Sequence, residues 1–292
     1  MRLCYDATRF GFGLKEAIGL AAMKALPAME FTFQPFPVAT KADSGLSESE
    51  LSQLKELAGL IDQHGVALAS VNLDYCLDVR QRSRLAEFKR LVAKLSRLAA
   101  AVGCRRVSFW LEAGRRDDNW LADVQRALAP VVEECGKHGV RLVLRLSTPT
   151  IYRGKSLQSW HPMQPQDWRD LLSLLPDLSL SFSPADCMWQ GLDYLQLLPA
   201  FVSAIEHVEA LDVEINHEML KDSGLFGPLW WRYRLAGKGQ MDWRQLVEAL
   251  KLYDFTGCLS VHLEDEFVPN HLVDLDRALE SAMSYLAPLV EG

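Results

Sequence analysis

The chain has 292 residues, of which 49% are hydrophobic, and it carries 38 acidic side chains against 31 lysines and arginines. A chain of this size and composition buries a large core, which excludes intrinsic disorder. The net charge of −7 and the lack of a long basic run argue against binding to a phosphate backbone, so we expect no nucleic acid partner.

Six cysteines are scattered without a CxxC pair, and several lie in apolar runs, where a thiol behaves as a small hydrophobic group. No window reaches about 18 consecutive apolar residues, and the first residues lack an apolar stretch of signal-peptide length. We therefore expect reduced cysteines, no membrane contact and a cytoplasmic location.

Short apolar runs alternate with longer stretches of helical period about eight times along the chain. The predicted strands cover residues 3–6, 28–33, 66–72, 105–111, 141–147, 178–183, 207–213 and 258–263. The predicted helices cover residues 14–25, 47–64, 83–102, 121–137, 166–175, 194–205, 242–253 and 273–289. Eight such repeats close most economically as a TIM barrel, so we predict an α/β fold with a single (β/α)8 domain over residues 1–292.

Two long connections, over residues 148–165 and 216–241, interrupt this rhythm after the fifth and seventh strands. Neither is rich in Gly and Ser, as a flexible linker would be. Strand-to-helix loops of such barrels lie on the face where active sites form, so both loops are predicted to build a lid or a pocket wall. The chemistry is therefore expected at the carboxyl ends of the strands.

Four segments carry motifs that resemble one known family. Residues 182–193 (FSPADCMWQGLD) are similar to F-D-P-S-H-x-x-W-Q-G-x-D, and residues 207–215 (HVEALDVEI) to H-V-H-A-K-D-T-E-I. Residues 227–239 (GPLWWRYRLAGKG) are similar to G-P-G-W-W-R-Y-R-L-P-G-x-G, and residues 257–265 (GCLSVHLED) to G-x-x-S-I-E-H-E-D. The chain thus resembles the xylose isomerase-like TIM barrels, which are sugar phosphate isomerases and epimerases.

The resemblance implies one divalent metal, held by Glu, Asp, His and Glu at the ends of strands five to eight. The matching positions here are Arg145, Ser183, Glu209 and His262, so none of the four ligands is retained in place. Mn²⁺ and Mg²⁺ favour oxygen and imidazole ligands, whereas a guanidinium brings a permanent positive charge and no lone pair. We therefore expect no metal and no other cofactor, and a pair of Arg145 with Glu209 in place of the ion.

The expected chemistry follows from the same positions. A sugar isomerase or epimerase needs a base that moves a proton between adjacent carbons and a positive group that stabilises an enediolate. Glu209 is the expected base, His262 the shuttle acid and Arg145 the electrophile. A family histidine near the metal is replaced by Asp186, which completes the predicted catalytic set of Glu209, His262, Arg145 and Asp186.

The segment 227–239 contains an aromatic and basic cluster. Trp230 or Trp231 would stack on a sugar ring, while Arg232 and Arg234 would clamp an anion, so a small polyhydroxylated ligand with a negative charge is expected. The predicted substrate-binding residues are Arg232, Arg234, Trp230, Trp189, Asp212 and Ser183.

Two other functions stay open. Loss of the ligand quartet also suits a non-catalytic binding protein or a pseudoenzyme scaffold on the same fold. A metalloenzyme with a rearranged site would need Glu209, His262 and a shifted Asp186 or Glu264 to hold the ion. In each case the expected partner is a small sugar-type molecule, and a homo-oligomer is compatible with the sequence.

Overall fold

The computed structural model describes residues 1–33, 48–112, 117–153, 155 and 163–292, without the side chains of residues 48–54 and 150. The strands in these ranges are β1 (Arg2–Asp6), β2 (Ala28–Phe33), β3 (Ala67–Leu77), β4 (Arg106–Leu111), β5 (Arg141–Arg145), β6 (Ser179–Phe182), β7 (Ile205–Ile215), β8 (Trp231–Leu235) and β9 (Cys258–Val261). The α-helices are α1 (Leu14–Met23), α2 (Glu48–His64), α3 (Arg82–Ala101), α4 (Trp120–Lys137), α5 (Pro165–Leu174), α6 (Pro184–Trp189), α7 (Tyr194–Phe201), α8 (His217–Ser223), α9 (Trp243–Leu252) and α10 (Leu272–Glu291).

The chain divides into two compact units, of which the first comprises Met1–Gly11, Leu146–Pro162 and Leu180–Gly292. In this unit β7 pairs in parallel with β6 on one side and with β9 on the other, and β9 pairs in parallel with β1. Because these strands run in the same direction, their carboxyl ends meet at one edge of the sheet. That edge is where the sequence predicts the chemistry.

The second half of β7 pairs with β8 in the antiparallel sense, from Leu211 opposite Leu235 to Ile215 opposite Trp231. The prediction of a plain loop over residues 216–241 is therefore wrong, since this segment contains α8 and β8. In β8, buried Tyr233 and Leu235 alternate with partly exposed arginines, as in a strand with one buried face.

The second unit comprises Phe12–Arg145 and Met163–Ser179. Its strands β2, β3, β4 and β5 pair in parallel in chain order. Its helices are amphipathic: α4 buries Val124, Leu128 and Val131 on one stripe, at the spacing that a helix needs to pack one face.

The predicted elements are present, with shifted ends. Strand β3 extends to Leu77, whereas β5 ends two residues early at Arg145 and β9 ends at Val261. The predicted helix 194–205 ends at Phe201, because Ile205 already begins β7, and the short α6 was not predicted. Part of the expected lid over 148–165, namely residues 154 and 156–162, lies outside the described residues.

All six cysteines are buried and none forms a disulfide bond, as expected for core-forming thiols. In the described ranges, no helix is both long enough and apolar enough to span a bilayer.

Candidate functional site

Ionisable side chains gather where the strands of the first unit end. Asp6 is the last residue of β1, His262 follows β9, and Glu209 lies in β7 opposite Ser260 of β9. All three are buried, and Glu209 and His262 have no exposed surface. Buried ionisable groups are uncommon without a specific reason, so this edge is the candidate functional site.

His262 lies between two carboxylates. Its Nδ1 is 3.5 Å from Oδ2 of Asp6 and 3.6 Å from Oε2 of Glu264. We call Asp6, His262 and Glu264 the His262 cluster. Sequence reasoning named His262 and considered Glu264, but it missed Asp6, whose only signal was its place at the end of the first predicted strand.

The chain holds the second oxygen of each carboxylate in this cluster. Oδ1 of Asp6 accepts hydrogen bonds from the backbone N–H of Thr8, at 2.9 Å, and from the Thr8 hydroxyl. Oε1 of Glu264 is 2.9 Å from Nη1 of Arg153. Each carboxylate is therefore fixed through one oxygen, and the other oxygen is directed at the imidazole.

The charge state of Glu264 follows from these neighbours. Burial alone would raise the pKa of this carboxyl, but Arg153 and His262 hold it well below its usual range. Arg153 itself is placed by a hydrogen bond from its Nε to the carbonyl oxygen of Thr148, and its guanidinium lies 5.2 Å from the ring centre of Tyr233. Glu264 is thus an ionised carboxylate at neutral pH.

Glu209 is held by hydroxyl groups. Its Oε1 accepts hydrogen bonds of 3.0 Å from the hydroxyl groups of Ser147 and Ser181, which belong to the same unit. Arg145, the partner expected for Glu209, belongs to the second unit, where its guanidinium lies 4.1 Å from the ring centre of Trp110. The pairing of Arg145 with Glu209 stays a prediction.

Asp186, which the sequence places among the catalytic residues, is an acceptor with many donors. Its carboxylate accepts hydrogen bonds from the N–H and hydroxyl of Thr148, from the Ser183 hydroxyl, from Nε1 of Trp189 and from the Tyr233 hydroxyl. Burial raises its pKa, and these hydrogen bonds oppose the rise. We call this arrangement the Asp186 hub; both oxygens and the predicted ligand-binding residues Ser183 and Trp189 are engaged within it.

Asp212, predicted to bond ligand hydroxyls, is engaged in the same way. Oδ1 accepts hydrogen bonds from the backbone N–H groups of Val213 and Met241, and Oδ2 accepts from the N–H of Gly237 and from Nε1 of Trp243. We call this arrangement the Asp212 hub. It fixes the turn between β8 and α9, so the geometry favours a structural role for Asp212.

Arg232 and Arg234, the predicted anion clamp, are already paired with acidic groups. Both guanidinium groups donate to Glu214, and Nε of Arg234 also donates to Asp265 at 3.1 Å. Both guanidinium groups also lie within 5 Å of the ring centre of Phe267. These ion pairs offset the positive charge of both arginines and so reduce the positive potential available to a ligand.

The aromatic residues form a packed group. Trp230 is buried and donates from Nε1 to the carbonyl oxygen of Leu225. The rings of Trp189 and Trp231 are stacked, with ring centres 4.5 Å apart and an angle of 3° between their planes. Trp231 is partly exposed, so Trp231 is better placed than Trp230 to present an aromatic surface to a ligand.

Comparison with known proteins gives a consistent family. A sequence model described as "Xylose isomerase-like TIM barrel" matches residues 20–288. The chain is 23% identical to the uncharacterized protein YfiH of Bacillus subtilis (strain 168), over 91% of this chain and 93% of that protein.

Solved structures agree over nearly the whole length. The chain is similar to 3-keto-D-glucoside 4-epimerase YcjR from E. coli, with a TM-score of 0.69, 13% identity and full coverage of both chains. It is also similar to D-allulose 3-epimerase from Methylomonas sp. in complex with D-allulose, with a TM-score of 0.66, 14% identity, and coverage of 99% of this chain and 96% of that one.

Proposed function

The chain belongs to the xylose isomerase-like TIM barrel family, which confirms the predicted fold class, and from this premise we propose that it acts on a small polyhydroxylated ligand of the sugar type. The proposed reaction moves a proton between adjacent carbons, as an isomerase or an epimerase does. Epimerases of ketoses and of keto-glucosides among the similar structures support this choice by analogy of fold.

One observation carries the proposal: the edge where β1, β7 and β9 of the first unit end holds His262 between two oriented carboxylates, with Glu209 buried in the same sheet. Groups that exchange protons must be held in place, and their partners must be fixed as well. The Thr8 and Arg153 contacts supply that fixing.

Glu209 is the proposed base. The hydrogen bonds from Ser147 and Ser181 to Oε1 fix the direction of the carboxylate. The role of Arg145 as the electrophile stays a prediction from the sequence, which rests on the ability of a guanidinium to stabilise an enediolate oxygen without loss of its own proton.

The metal site that the family implies does not fit the residues at its four positions. Arg145 offers no lone pair, and the Ser183 hydroxyl donates to Asp186. No step of the proposed reaction therefore uses a metal at that place. His262 can act as the proton donor expected from the sequence, or it can bind a ligand together with Asp6 and Glu264.

A neutral sugar is better supported than an anionic one. Arg232 and Arg234 are paired with Glu214 and Asp265, so the clamp that the sequence suggested for an anion has little free charge. Hydroxyl groups of a neutral sugar match the mixed donors and acceptors of the candidate site instead.

The proposal is tested with a panel of neutral aldoses and ketoses, keto-glucosides, sugar phosphates and sugar acids in deuterated water. We expect nuclear magnetic resonance to show deuterium entering a carbon next to the carbonyl of at least one neutral sugar. Glu209→Gln should slow this exchange by about 10²–10⁴-fold, and the exposed Glu248→Gln should leave it unchanged.

Two outcomes would overturn the proposal. Saturable sugar binding without any deuterium exchange would favour the non-catalytic binding protein. Neither binding nor exchange across the panel would favour the scaffold.

A further inference from the structure

The spacing within the His262 cluster is unlike that of hydrogen bonds. An N–H···O hydrogen bond joins its heavy atoms at about 2.7–3.2 Å, whereas Nδ1 of His262 is 3.5 Å from Asp6 and 3.6 Å from Glu264. Two ligands of a tetrahedral Zn²⁺, each about 2.0–2.1 Å from the ion, lie about 3.4 Å apart. The observed separations match two ligands of one shared ion better than two hydrogen-bond partners.

The three ligand atoms form a compact group. Oδ2 of Asp6, Nδ1 of His262 and a carboxylate oxygen of Glu264 all lie within 4.8 Å of one another. Oε2 of Glu264 is screened from solvent and accepts no hydrogen bond from the described part of the chain. A buried carboxylate oxygen without a hydrogen bond is uncommon in proteins, and a bound ligand would account for it.

The surroundings match those of a metal centre. Thr8 holds the second oxygen of Asp6, and Arg153 holds the second oxygen of Glu264. Arg9 donates from Nη2 to the carbonyl oxygen of Val268 and from Nη1 to that of Leu263, which ties the end of β1 to the segment after β9. Outer contacts of this kind orient the residues that bind a metal.

We propose that Asp6, His262 and Glu264 bind a divalent transition-metal ion of the Zn²⁺, Co²⁺ or Mn²⁺ class. Two carboxylates and a neutral imidazole suit such an ion in charge and in ligand type, whereas Ca²⁺ and Mg²⁺ favour oxygen alone. Three protein ligands leave an open position, as in catalytic sites rather than structural ones.

This site differs from both expectations drawn from the sequence. The rearranged metal site considered there joined His262 with Glu209 and with Asp186 or Glu264, whereas the structure joins His262 and Glu264 with Asp6. It also gives His262 the role of a ligand instead of a shuttle acid. The inference rests on the proposed function in one respect: it expects a sugar oxygen or a water molecule at the open position of the metal ion.

The test uses the full chain, freed of metal with a chelator, and the metal alone as the probe. Titration with Co²⁺, read by visible absorption, and with Zn²⁺, read by calorimetry, should show one tight site for each chain. His262→Gln should weaken the affinity by at least about 100-fold, and Thr8→Val, which removes only an outer contact at an exposed residue, by about 10-fold. Glu214→Gln, a carboxylate outside the cluster, should not change it.

The outcomes separate this inference from the proposed function. Absence of a saturable site, or equal affinity in wild type, Thr8→Val and Glu264→Gln, would overturn the inference, and Thr8→Val decides the question if the other variants do not fold. Sugar exchange in chelator-treated protein that binds no Co²⁺ or Zn²⁺ at a saturable site would overturn the inference while the proposed function stands. One bound metal without any sugar exchange would uphold the site and overturn the proposed function.

Discussion

Buried carboxylates in the first unit fall into two regions. In the Asp186 and Asp212 hubs, both oxygens of each carboxylate accept hydrogen bonds from the chain itself. In the His262 cluster, Oδ1 of Asp6 is held in this way and Oε1 of Glu264 is paired with Arg153, while Oδ2 of Asp6 and Oε2 of Glu264 lie 3.5 and 3.6 Å from Nδ1 of His262. The same chemical group thus serves two purposes within one unit.

The difference shows how burial and hydrogen bonding together separate structure from function. A buried charge lowers stability unless hydrogen bonds compensate for its lost hydration. The hubs supply that compensation in full and fix the segments that carry their donors. In the His262 cluster, Oε2 of Glu264 accepts no hydrogen bond from the described residues, and such a group at an edge where strands end is typical of a site that binds a ligand.

The largest effect is expected at the Asp212 hub. Asp212→Ala removes the acceptor for four donors, including the N–H of Gly237 and the buried Nε1 of Trp243. We expect the free energy of unfolding to fall by about 3 kcal/mol or more, measured by chemical denaturation. Glu248→Ala, on an exposed helix face, should change it by less than about 0.5 kcal/mol. A loss at Asp212 no larger than at Glu248 would remove the distinction between hub and surface.

A smaller effect is expected at the Asp186 hub. Tyr233→Phe removes one hydroxyl that lies 2.8 and 2.7 Å from the two oxygens of Asp186, while the other donors remain. The free energy of unfolding should fall by about 1–2 kcal/mol. Tyr253→Phe is the matched control, because its ring is partly exposed, and it should be neutral. Equal effects of the two substitutions would show that the hub tolerates loss of this donor.

The smallest effect concerns Glu214, a partly exposed carboxylate outside both regions. Hydrogen bonds from Arg232 and Arg234 lower its pKa against the effect of burial. Its contribution to stability is therefore present above the unfolded-state pKa of about 4.3 and is lost as the pH falls through the lower, folded-state value. The melting temperature of wild type should fall more steeply than that of Glu214→Gln below about pH 4.3. Parallel curves for the two proteins would contradict this linkage.

The sequence predicted the strand and helix rhythm well, because each element carries its own period. Strand β4, predicted over 105–111, is observed over Arg106–Leu111. Strand β8 was missed because it has only five residues. It forms by pairing with the second half of β7, a tertiary contact that the local sequence indicates only weakly. The fold could be read from the sequence, and the hairpin could not.

The candidate site was predictable only in part. Glu209 and His262 were named correctly as buried residues of this edge, since alternation along a strand fixes which side chains face inward. Asp6 was missed because it lies at the opposite end of the chain from His262, and no local pattern joins them. Asp186 and Asp212 were assigned to chemistry and ligand binding because their donors, such as Trp243 for Asp212, cannot be counted from the sequence.

The most direct test applies one chemical change to both regions. Asp186→Asn and Asp6→Asn each replace a buried carboxylate by an amide, and the free energies of unfolding are compared by chemical denaturation of metal-free protein. In the Asp186 hub, the N–H₂ group of the new asparagine must face donors that were hydrogen-bonded to a carboxylate oxygen. We therefore expect the free energy of unfolding to fall by about 2–4 kcal/mol. In the cluster, the amide keeps an oxygen for Thr8 and places its N–H₂ toward Nδ1 of His262, so the loss should stay below about 1 kcal/mol. Equal losses at the two positions would contradict the division into a closed structural region and an open functional one.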